Sequence, residues 1–288
     1  MPTIQELLAQ GVQRLTKTGR ESARLEVQVL LSHVLGVDRS LLYAYPEREV
    51  TLEQAQRYLS LIERRMQGEP VAYLTGQKEF YGLDFFVDKR VLIPRPESEL
   101  LVEAALVAAR EMLTQGHLPI IADIGTGSGA IPVTLAVQEP RLPYLYATDI
   151  SADALAVARL NAERHHVESR IRLLQGDLLA PLPESVDIIT ANLPYIGTGE
   201  MSGLAPDVRA YEPHLALFSG PDGLDLLERF FSEVQRPGVL NEHAVLLLEI
   251  GYRQRPALTR LVRSIWPHAA MTFQKDYTGW DRLLHIAL

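Results

Sequence analysis

Apolar residues in the first part of the chain recur at the three- and four-residue spacing of amphipathic helices. Leu8 and Val12 follow Thr3–Glu6, which has the pattern of a capping box, a pair of residues that satisfies the free N–H groups of a helix start. Thr51–Gln54 repeats this pattern ahead of a helix that we expect to end at Gly68. Both segments therefore predict helices that begin at a defined cap.

A further helix is predicted between these two. Its apolar positions run from Ser22 to Leu35, and Gly36 provides a usual stop. We expect Leu25, Val29 and Leu30 to form its apolar stripe. These helices together predict an N-terminal helical domain over residues 1–76.

The spacing changes between residues 77 and 93. Aromatic residues surround Gly82 there, with Phe80 and Tyr81 before it and Phe85 and Phe86 after it. Short aromatic runs around a glycine are typical of a β-hairpin. We therefore predict a hairpin linker over 77–93, followed by a helix over about 97–115.

From residue 94 to residue 288, short apolar runs alternate with helical segments. Strands are predicted at Ile120–Ile124, Tyr144–Asp149, Ile171–Gln175, Val186–Thr190 and Val245–Ile250. Helices are predicted from the glycine-rich turn to about 139, at 151–165, at 223–235 and at 254–265, and a closing hairpin at 271–275 and 282–287. Strands joined by helices require crossovers, so the pattern predicts an α/β fold with a doubly wound, mainly parallel sheet. Ligands of such sheets bind beyond the carboxyl ends of the strands.

Composition and charge narrow the class of protein. The chain of 288 residues carries a net charge of −8, and residues 91–288 hold 24 acidic against 16 basic side chains. This acidic balance argues against a nucleic-acid-binding surface. Cysteine is absent, which excludes disulfides and thiolate chemistry, and no run approaches the length of a membrane span. We expect a cytoplasmic location, because the first residues lack the basic start and apolar stretch of a signal peptide.

A glycine-rich turn follows the strand that ends at Ile124. Gly125, Gly127 and Gly129 allow a sharp bend and a close approach of the backbone to a ligand. Asp149 lies 20 residues after Gly129 at the end of the next strand, where an acid can accept both ribose hydroxyls. The pattern Gly125-x-Gly127-x-Gly129 fits S-adenosylmethionine. The less specific pattern Gly125-x-Gly127-x-x-Ala130 fits a dinucleotide as well.

A second acid follows the third strand of this series. Asp177 could accept the amino group of an adenine, while Leu178 covers the face of the ring. Its place in the order of strands favours the methyl donor over the dinucleotide.

The fourth strand, Val186–Thr190, leads into the tetrapeptide Asn192-Leu193-Pro194-Tyr195. The side-chain oxygen of Asn192 and the carbonyl of Leu193 can accept the two N–H groups of a planar amide or aryl amine, on which Tyr195 can stack. Such positioning accelerates attack of the nitrogen on an electrophilic methyl group. No strong base is required, because the methylated nitrogen becomes acidic.

These motifs resemble the release-factor glutamine methyltransferase family (PrmC, also called HemK) over nearly the whole chain. The segments that carry the resemblance are Arg24–Gly36, Arg65–Tyr73, Glu79–Leu83, Leu92–Glu99, the glycine-rich turn, the tetrapeptide, Tyr211–Pro213, Gly220–Leu224 and Lys275–Arg282. The block between Glu79 and Glu99 is the most specific to the family, whereas many methyltransferases share the glycine-rich turn.

The resemblance implies a Rossmann-like class I S-adenosylmethionine-dependent methyltransferase fold. The implied activity moves a methyl group to the side-chain amide of the glutamine in the Gly-Gly-Gln loop of class I peptide chain release factors, leaving S-adenosylhomocysteine. The implied cofactor-binding residues are Gly125, Thr126, Gly127, Ser128, Gly129, Asp149, Asp177, Leu178 and Asn192. Asn192, Leu193, Pro194 and Tyr195 would hold the glutamine, with Asn192 and Tyr195 catalytic. The N-terminal helices would help to dock the release factor, and we expect a monomer with no metal and no membrane or direct nucleic-acid contact.

One departure from the family pattern concerns the tetrapeptide, which is usually Asn-Pro-Pro-Tyr. Leu193 replaces the first proline, so the restraint of Asn192 to extended geometry is lost, although the Leu193 carbonyl remains. Three other functions stay open at this point. They are an amino methyltransferase of a nucleic-acid base such as adenine N6, a nicotinamide-dependent oxidoreductase, and a binding module that has lost turnover through Leu193.

Overall fold

The computed structural model describes residues 1–19 and 22–288, and the described chain divides into two compact units. The first unit contains Met1–Gln77 together with Ala205–Tyr211. The second contains Lys78–Leu204 and Glu212–Leu288. The predicted functional boundaries at 76 and 93 stay a prediction, and the sequence pattern gave no sign that Ala205–Tyr211 would join the helical unit.

The helices and strands follow in chain order. The helices are α1 (Ile4–Thr16), α2 (Ala23–Leu35), α3 (Arg39–Ala44), α4 (Leu52–Met66), α5 (Val71–Thr75), α6 (Glu99–Thr114), α7 (Ala130–Gln138), α8 (Ala152–Arg164), α9 (Pro206–Tyr211), α10 (Asp225–Val234) and α11 (Arg255–Ile265). The strands are β1 (Gln77–Phe80), β2 (Leu83–Phe86), β3 (Ile121–Ile124), β4 (Leu145–Asp149), β5 (Ile171–Gln175), β6 (Val186–Ala191), β7 (Leu240–Glu249), β8 (Ala270–Lys275) and β9 (Asp281–Ala287). No helix in the described ranges is long and apolar enough to cross a membrane.

The helical unit confirms the predicted caps. Both capping boxes form, at Thr3 with Glu6 and at Thr51 with Gln54. The predicted stripe of α2 was wrong at Leu25, which is half exposed. The buried face of this helix passes instead through Ala23, Val27, Leu30, Leu31 and Val34, whose four- and three-residue steps leave Leu25 on the outer side.

Glu26 also lies on the buried face of α2, where it forms an ion pair with Arg65. Nε of Arg65 donates to Glu26 at 2.8 Å, and Nη1 donates to the carbonyls of Gly68 and Glu69. The carboxylate of Asp207, which belongs to α9, lies 3.6 Å from Nη2 of Arg65. A buried charge needs partners of this kind, so the ion group gives α9 a defined position within its own unit.

The second unit is built on a seven-stranded sheet with the order β5-β4-β3-β6-β7-β9-β8. The first five strands of this order are parallel, and β9 and β8 join antiparallel to their neighbours. The mainly parallel doubly wound fold is thus confirmed, and β1 and β2 form the separate hairpin that was predicted.

The direction of winding reverses at β3, whose two neighbours are β4 and β6. Register pairs Ile124 at the end of β3 with Thr148 on one side and Ala191 on the other. A crevice forms at such a reversal, beyond the carboxyl ends of the strands. The topology therefore brings the glycine-rich turn, Asp149 and the segment after Ala191 to one edge of the sheet.

Candidate active site

A cavity of about 220 Å³ opens at this edge of the sheet. Its lining comes from the glycine-rich turn, the ends of β4 and β6, the loop after β5 and the segment that precedes α6. The residues that line it are Arg90, Val91, Leu92, Ile124, Gly125, Gly127, Thr148, Asp149, Ile150, Ser151, Ala154, Gly176, Asp177, Leu178, Asn192, Leu193, Pro194, Pro213, Leu215, Ala216, Leu226 and Arg229. Apolar walls with a few polar groups are typical of a small-molecule site.

Backbone hydrogen bonds hold the glycine-rich turn against β4. The N–H groups of Gly125 and Thr126 both donate to the carbonyl of Thr148 at 2.9 Å. Gly125 has φ +73°, and a Cβ added there would lie 3.1 Å from Cδ2 of Leu193. The turn thus packs directly on the tetrapeptide, and glycine is the residue that this approach and this backbone conformation favour.

Asp149 ties the turn to the start of α8. Its Oδ2 accepts the N–H of Gly127 and its Oδ1 accepts the N–H of Ser151, both at 2.9 Å. Burial raises the pKa of this carboxyl, and the hydrogen bonds from Ser151 and Gly127 oppose that rise. Because each carboxylate oxygen accepts more than one hydrogen bond, Asp149 keeps acceptor capacity toward the cavity that it lines.

Asp123 lies beneath the turn and is almost completely buried. Its Oδ1 accepts the hydroxyl of Thr190 at 2.7 Å. Within the described part of the chain, Oδ2 of Asp123 and Oγ1 of Thr126 are buried without a hydrogen-bond partner. Burial, with a smaller contribution from Asp149, raises the pKa of Asp123 to about 6. Thr126 is one of the residues predicted to bind the cofactor, whereas Asp123 is not, and neither residue lines the cavity.

The loop after β5 presents Asp177 and Leu178 to the cavity. Oδ2 of Asp177 forms an ion pair with Arg229 at 2.5 Å, and both side chains are about half exposed. Leu178 has φ +48° and is buried, and its carbonyl accepts the hydroxyl of Thr148 at 3.1 Å. The left-handed conformation is uncommon for leucine, and the bond from Thr148 helps to hold it.

The tetrapeptide is connected to distant parts of the chain by side-chain hydrogen bonds. Nδ2 of Asn192 donates to Oγ of Ser98 at 2.9 Å, and Oγ of Ser98 donates to Oε2 of Glu249 at 2.5 Å. The hydroxyl of Tyr195 donates to Oε1 of the same carboxylate at 3.1 Å. Glu249 is buried, which raises its pKa, and the bonds from Ser98 and Tyr195 oppose the rise.

The cavity brings together most of the residues predicted for the site. Those that line it are Gly125, Gly127, Asp149, Asp177, Leu178, Asn192, Leu193 and Pro194. Thr126, Ser128 and Gly129 lie in the turn and do not line the cavity. Gly129 faces α8, where an added Cβ would lie 3.0 Å from Cβ of Ala158, and the carbonyl of Ser128 accepts a bond from Asn161.

Tyr195 also lies outside the cavity lining, because its hydroxyl is bonded to Glu249. Burial raises the pKa of this phenol, so it stays protonated. The sequence reading expected its ring to stack on the substrate and missed Ser98 and Glu249. A signal was present for Glu249, since a single acid closes the long apolar run of β7.

Family models match both parts of the chain. The model of the PrmC N-terminal domain matches residues 6–76, and the model of the methyltransferase small domain matches residues 98–204. Among solved structures, the N-terminal domain of human METTL16 in complex with SAH superposes with a TM-score of 0.50. The alignment covers 84% of this chain and 85% of that one at 16% identity, a level at which the likeness concerns the fold alone. The two family models, together with the fold, place this chain in the methyltransferase class.

Curated relatives specify the family within this class. The release factor glutamine methyltransferase of Moorella thermoacetica is 44% identical over 97% of this chain and 96% of its own length. The protein of the same name from Bacillus subtilis strain 168 is 37% identical over 99% of this chain and 97% of its own. The chain belongs to the release factor glutamine methyltransferase family.

Proposed function

We propose that this chain transfers a methyl group from S-adenosylmethionine to the side-chain amide nitrogen of the glutamine in the Gly-Gly-Gln loop of class I peptide chain release factors. The observation that carries the proposal is the position of Asn192. It shares one cavity with the glycine-rich turn and Asp149, and Leu193 packs on Gly125. An amide acceptor therefore lies beside the groups suited to a nucleoside.

The residues present fit the methyl donor. Asp149 offers carboxylate oxygens to ribose hydroxyls, and a Cβ added at Gly127 would meet nothing within 4 Å, so space is open above the turn. Oδ2 of Asp123 and Oγ1 of Thr126 are buried without a hydrogen-bond partner beside the turn, and their acceptor character favours an ammonium group there, although neither residue lines the cavity. Leu178 and Ile150 supply apolar cover for the adenine, and Asp177 lies at the same wall.

The chemistry assigned to the protein is positioning. S-adenosylmethionine supplies an electrophilic methyl group when it is bound. The side-chain oxygen of Asn192 and the carbonyl of Leu193 each accept one N–H of the glutamine amide, which orients the nitrogen lone pair. These acceptors gain strength as the nitrogen becomes pyramidal, which is binding that favours the transition state. The proton of the methylated nitrogen then leaves without a dedicated base, and we expect no metal in the reaction.

The remaining parts of the proposal concern the partner and the setting. The helical domain over 1–76 would help to dock the release factor, and Tyr195 would place its ring beside the substrate while its hydroxyl stays on Glu249. We propose a monomer that works in the cytoplasm, where release factors act. The names of the relatives support the partner, and they do not favour a nucleic-acid base as the substrate.

Mass spectrometry of a purified class I release factor tests this function. The factor is incubated with the protein and S-adenosylmethionine, digested, and searched for an increment of one CH₂. We expect the increment on the glutamine of the Gly-Gly-Gln loop and on no other residue. Methyl label that entered nucleic acid, with the release factor unlabelled, would instead support the amino methyltransferase of bases.

A further inference from the structure

The two ends of the Asn192 side chain have opposite hydrogen-bonding roles. Its oxygen accepts, and its NH₂ group donates. The N–H groups of a glutamine amide need an acceptor, which the Asn192 oxygen provides. Rotation of the Asn192 amide by 180° would instead place its NH₂ group opposite these N–H groups, and two donors cannot form a hydrogen bond. The rotation of this amide therefore decides whether the cavity can hold the substrate nitrogen.

The hydrogen bonds among Asn192, Ser98 and Glu249 allow only one rotation of the Asn192 amide, because the number of hydrogens that each group can donate is fixed. An ionised carboxylate only accepts hydrogen bonds, and a serine hydroxyl carries one proton. The hydroxyl of Ser98 donates its one hydrogen bond to Oε2 of Glu249, with 2.5 Å between the two oxygens. The Ser98 oxygen can then only accept from Asn192, whose Nδ2 lies 2.9 Å away. The Asn192 oxygen is left to face the cavity.

We propose that Ser98 and Glu249 are positioning residues that fix the rotation of the Asn192 amide, so that its oxygen, and not its nitrogen, faces the substrate. The proposal rests on the proposed function. It assigns no contact with substrate to either residue, because both act through Asn192.

The surroundings of Glu249 support this assignment. The carboxylate is buried, and the hydroxyls of Ser98 and Tyr195 each direct a proton to one of its oxygens. Among charged groups, Arg282 lowers the pKa of Glu249 and Glu97 raises it, while burial raises it most. Two hydroxyl donors aimed at two oxygens are suited to the ionised form.

Protonation of Glu249 would reverse the order of donors. A neutral carboxyl can donate to Ser98, which can then donate to the oxygen of Asn192 and turn the NH₂ group toward the cavity. Because the pKa of Glu249 is raised above the ordinary value of about 4.3, the active rotation is lost as the pH falls through that raised pKa. A group outside the substrate contact would thereby control turnover.

Kinetics on matched variants test the proposal. Ser98→Ala removes the acceptor for Asn192, and we expect kcat to fall by about 10- to 100-fold, the usual cost of a lost buried hydrogen bond. The affinity for S-adenosylhomocysteine should stay within about 2-fold, because the nucleoside groups are untouched. Ser98→Thr restores the hydroxyl and should recover most of kcat. Thr134→Val removes another buried hydroxyl, bonded to the carbonyl of Ala130, and serves as the control for stability.

Glu249→Gln tests whether ionisation of Glu249 controls the rotation of the Asn192 amide. The amide oxygen of this variant can still accept from Ser98, and its NH₂ can donate to the Tyr195 oxygen, so we expect turnover at high pH within about 10-fold of the wild type. The variant cannot titrate at this position. Its pH profile should therefore lack the acidic fall in kcat that the wild type shows.

A spectroscopic measurement keeps the test independent of turnover. The chain has three asparagines, at 161, 192 and 241, so protein labelled with ¹⁵N-asparagine gives three side-chain NH₂ signals. We expect the Asn192 signal of the wild type to shift with the pKa of Glu249 and to stay constant in Glu249→Gln. The same signal should lose its pH dependence in Ser98→Ala.

The outcomes separate this inference from the proposed function. If the wild type methylates the release factor while Ser98→Ala retains the full kcat, or while the Asn192 signal ignores pH, the positioning role is overturned and the function stands. If the wild type leaves the glutamine unmodified, the proposed function fails. The pH response of the Asn192 signal then still decides whether Ser98 and Glu249 fix the rotation of the Asn192 amide.

Discussion

The two halves of the cavity are built in different ways. The glycine-rich turn is held mainly through its backbone groups. The N–H groups of Gly125 and Thr126 donate to the Thr148 carbonyl, and the side chains of Asp149 and Asn161 bond to the backbone of Gly127 and Ser128. The tetrapeptide is held by side chains from far along the chain, since Asn192 bonds to Ser98, 94 residues earlier. Backbone sites depend on glycines that can be read locally, whereas side-chain networks depend on the fold that assembles them.

This contrast separates binding from turnover. The turn half offers shape and carboxylate oxygens to a nucleoside, and the tetrapeptide half offers acceptors to a planar nitrogen. Variants of the two halves should therefore fail in different measurements.

Asn192→Ala should have the largest effect. Loss of the amide oxygen removes an interaction that tightens in the transition state, and we expect kcat to fall roughly 100-fold or more, about 3 kcal/mol. The affinity for the methyl donor should change by no more than several-fold. Single-turnover transfer to the release factor and calorimetric titration with S-adenosylhomocysteine measure the two quantities.

The control for this change is Asn241→Ala. Asn241 lies at the start of β7, and its side chain donates to Asp187 of β6. The substitution removes an amide of the same size at the opposite edge of the sheet, because Asn241 lies at the start of β7 whereas Asn192 follows the end of the parallel strand β6, and it should leave transfer unchanged. Transfer by Asn192→Ala at the wild-type rate would refute the amide-holding mechanism.

Asp149→Ala should have the next largest effect, and in the other measurement. The change removes acceptors for ribose and also releases the N–H groups of Gly127 and Ser151. We expect the Kd for S-adenosylhomocysteine to rise by about 100-fold, since bonds to a charged acceptor contribute about 1.5–3 kcal/mol each. At saturating methyl donor, kcat should stay within several-fold.

Asp153→Ala is the matched control, because Asp153 is an exposed acid in the first turn of the same helix, α8. Its Kd should equal that of the wild type. A loss of kcat in Asp149→Ala without any loss of affinity would contradict the division of labour between the two halves.

Arg229→Ala should have the smallest effect. Its ion pair with Asp177 is about half exposed on both sides, and exposed pairs contribute about 0–1 kcal/mol. We expect a change of at most about 3-fold in the Kd for S-adenosylhomocysteine, which should disappear at high salt because exposed charges are screened. Arg236→Ala breaks a comparable pair with Glu233 and is the control. A loss as large as that of Asp149→Ala would show that Asp177 depends on Arg229 for a strong cofactor contact.

The position of the backbone half of the site could be predicted from the sequence, although Thr126, Ser128 and Gly129 do not line the cavity. A strand, three glycines at fixed spacing and an acid at the end of the next strand require one local geometry, and the structure places Gly125, Gly127 and Asp149 on one cavity. The parallel sheet followed from the same alternation, because its strands are short, apolar and separated by helices.

The side-chain half could be predicted only up to Asn192. Its partners are Ser98, which immediately precedes α6, and Glu249, which ends β7, and they come together only through the order of the strands in the sheet. The same limit applies to Tyr195, because the buried carboxylate of Glu249 that accepts from its hydroxyl lies 54 residues further along the chain. The stacking of the Tyr195 ring on the substrate stays a prediction. Leu25 shows the limit on a helix, where apolar character alone does not fix the inward face.

The connectivity of the chain has a consequence for modularity. Because Ala205–Tyr211 belongs to the helical unit and both its flanks belong to the other, the polypeptide passes between the units three times. A fragment cut after Gln77 would leave Arg65 without Asp207 and the Gln67 carbonyl without the Tyr211 hydroxyl. The helical unit therefore cannot be exchanged between proteins as one continuous segment. A recombinant protein would also need the matching seven residues, Ala205–Tyr211, inserted within the sequence of the other unit.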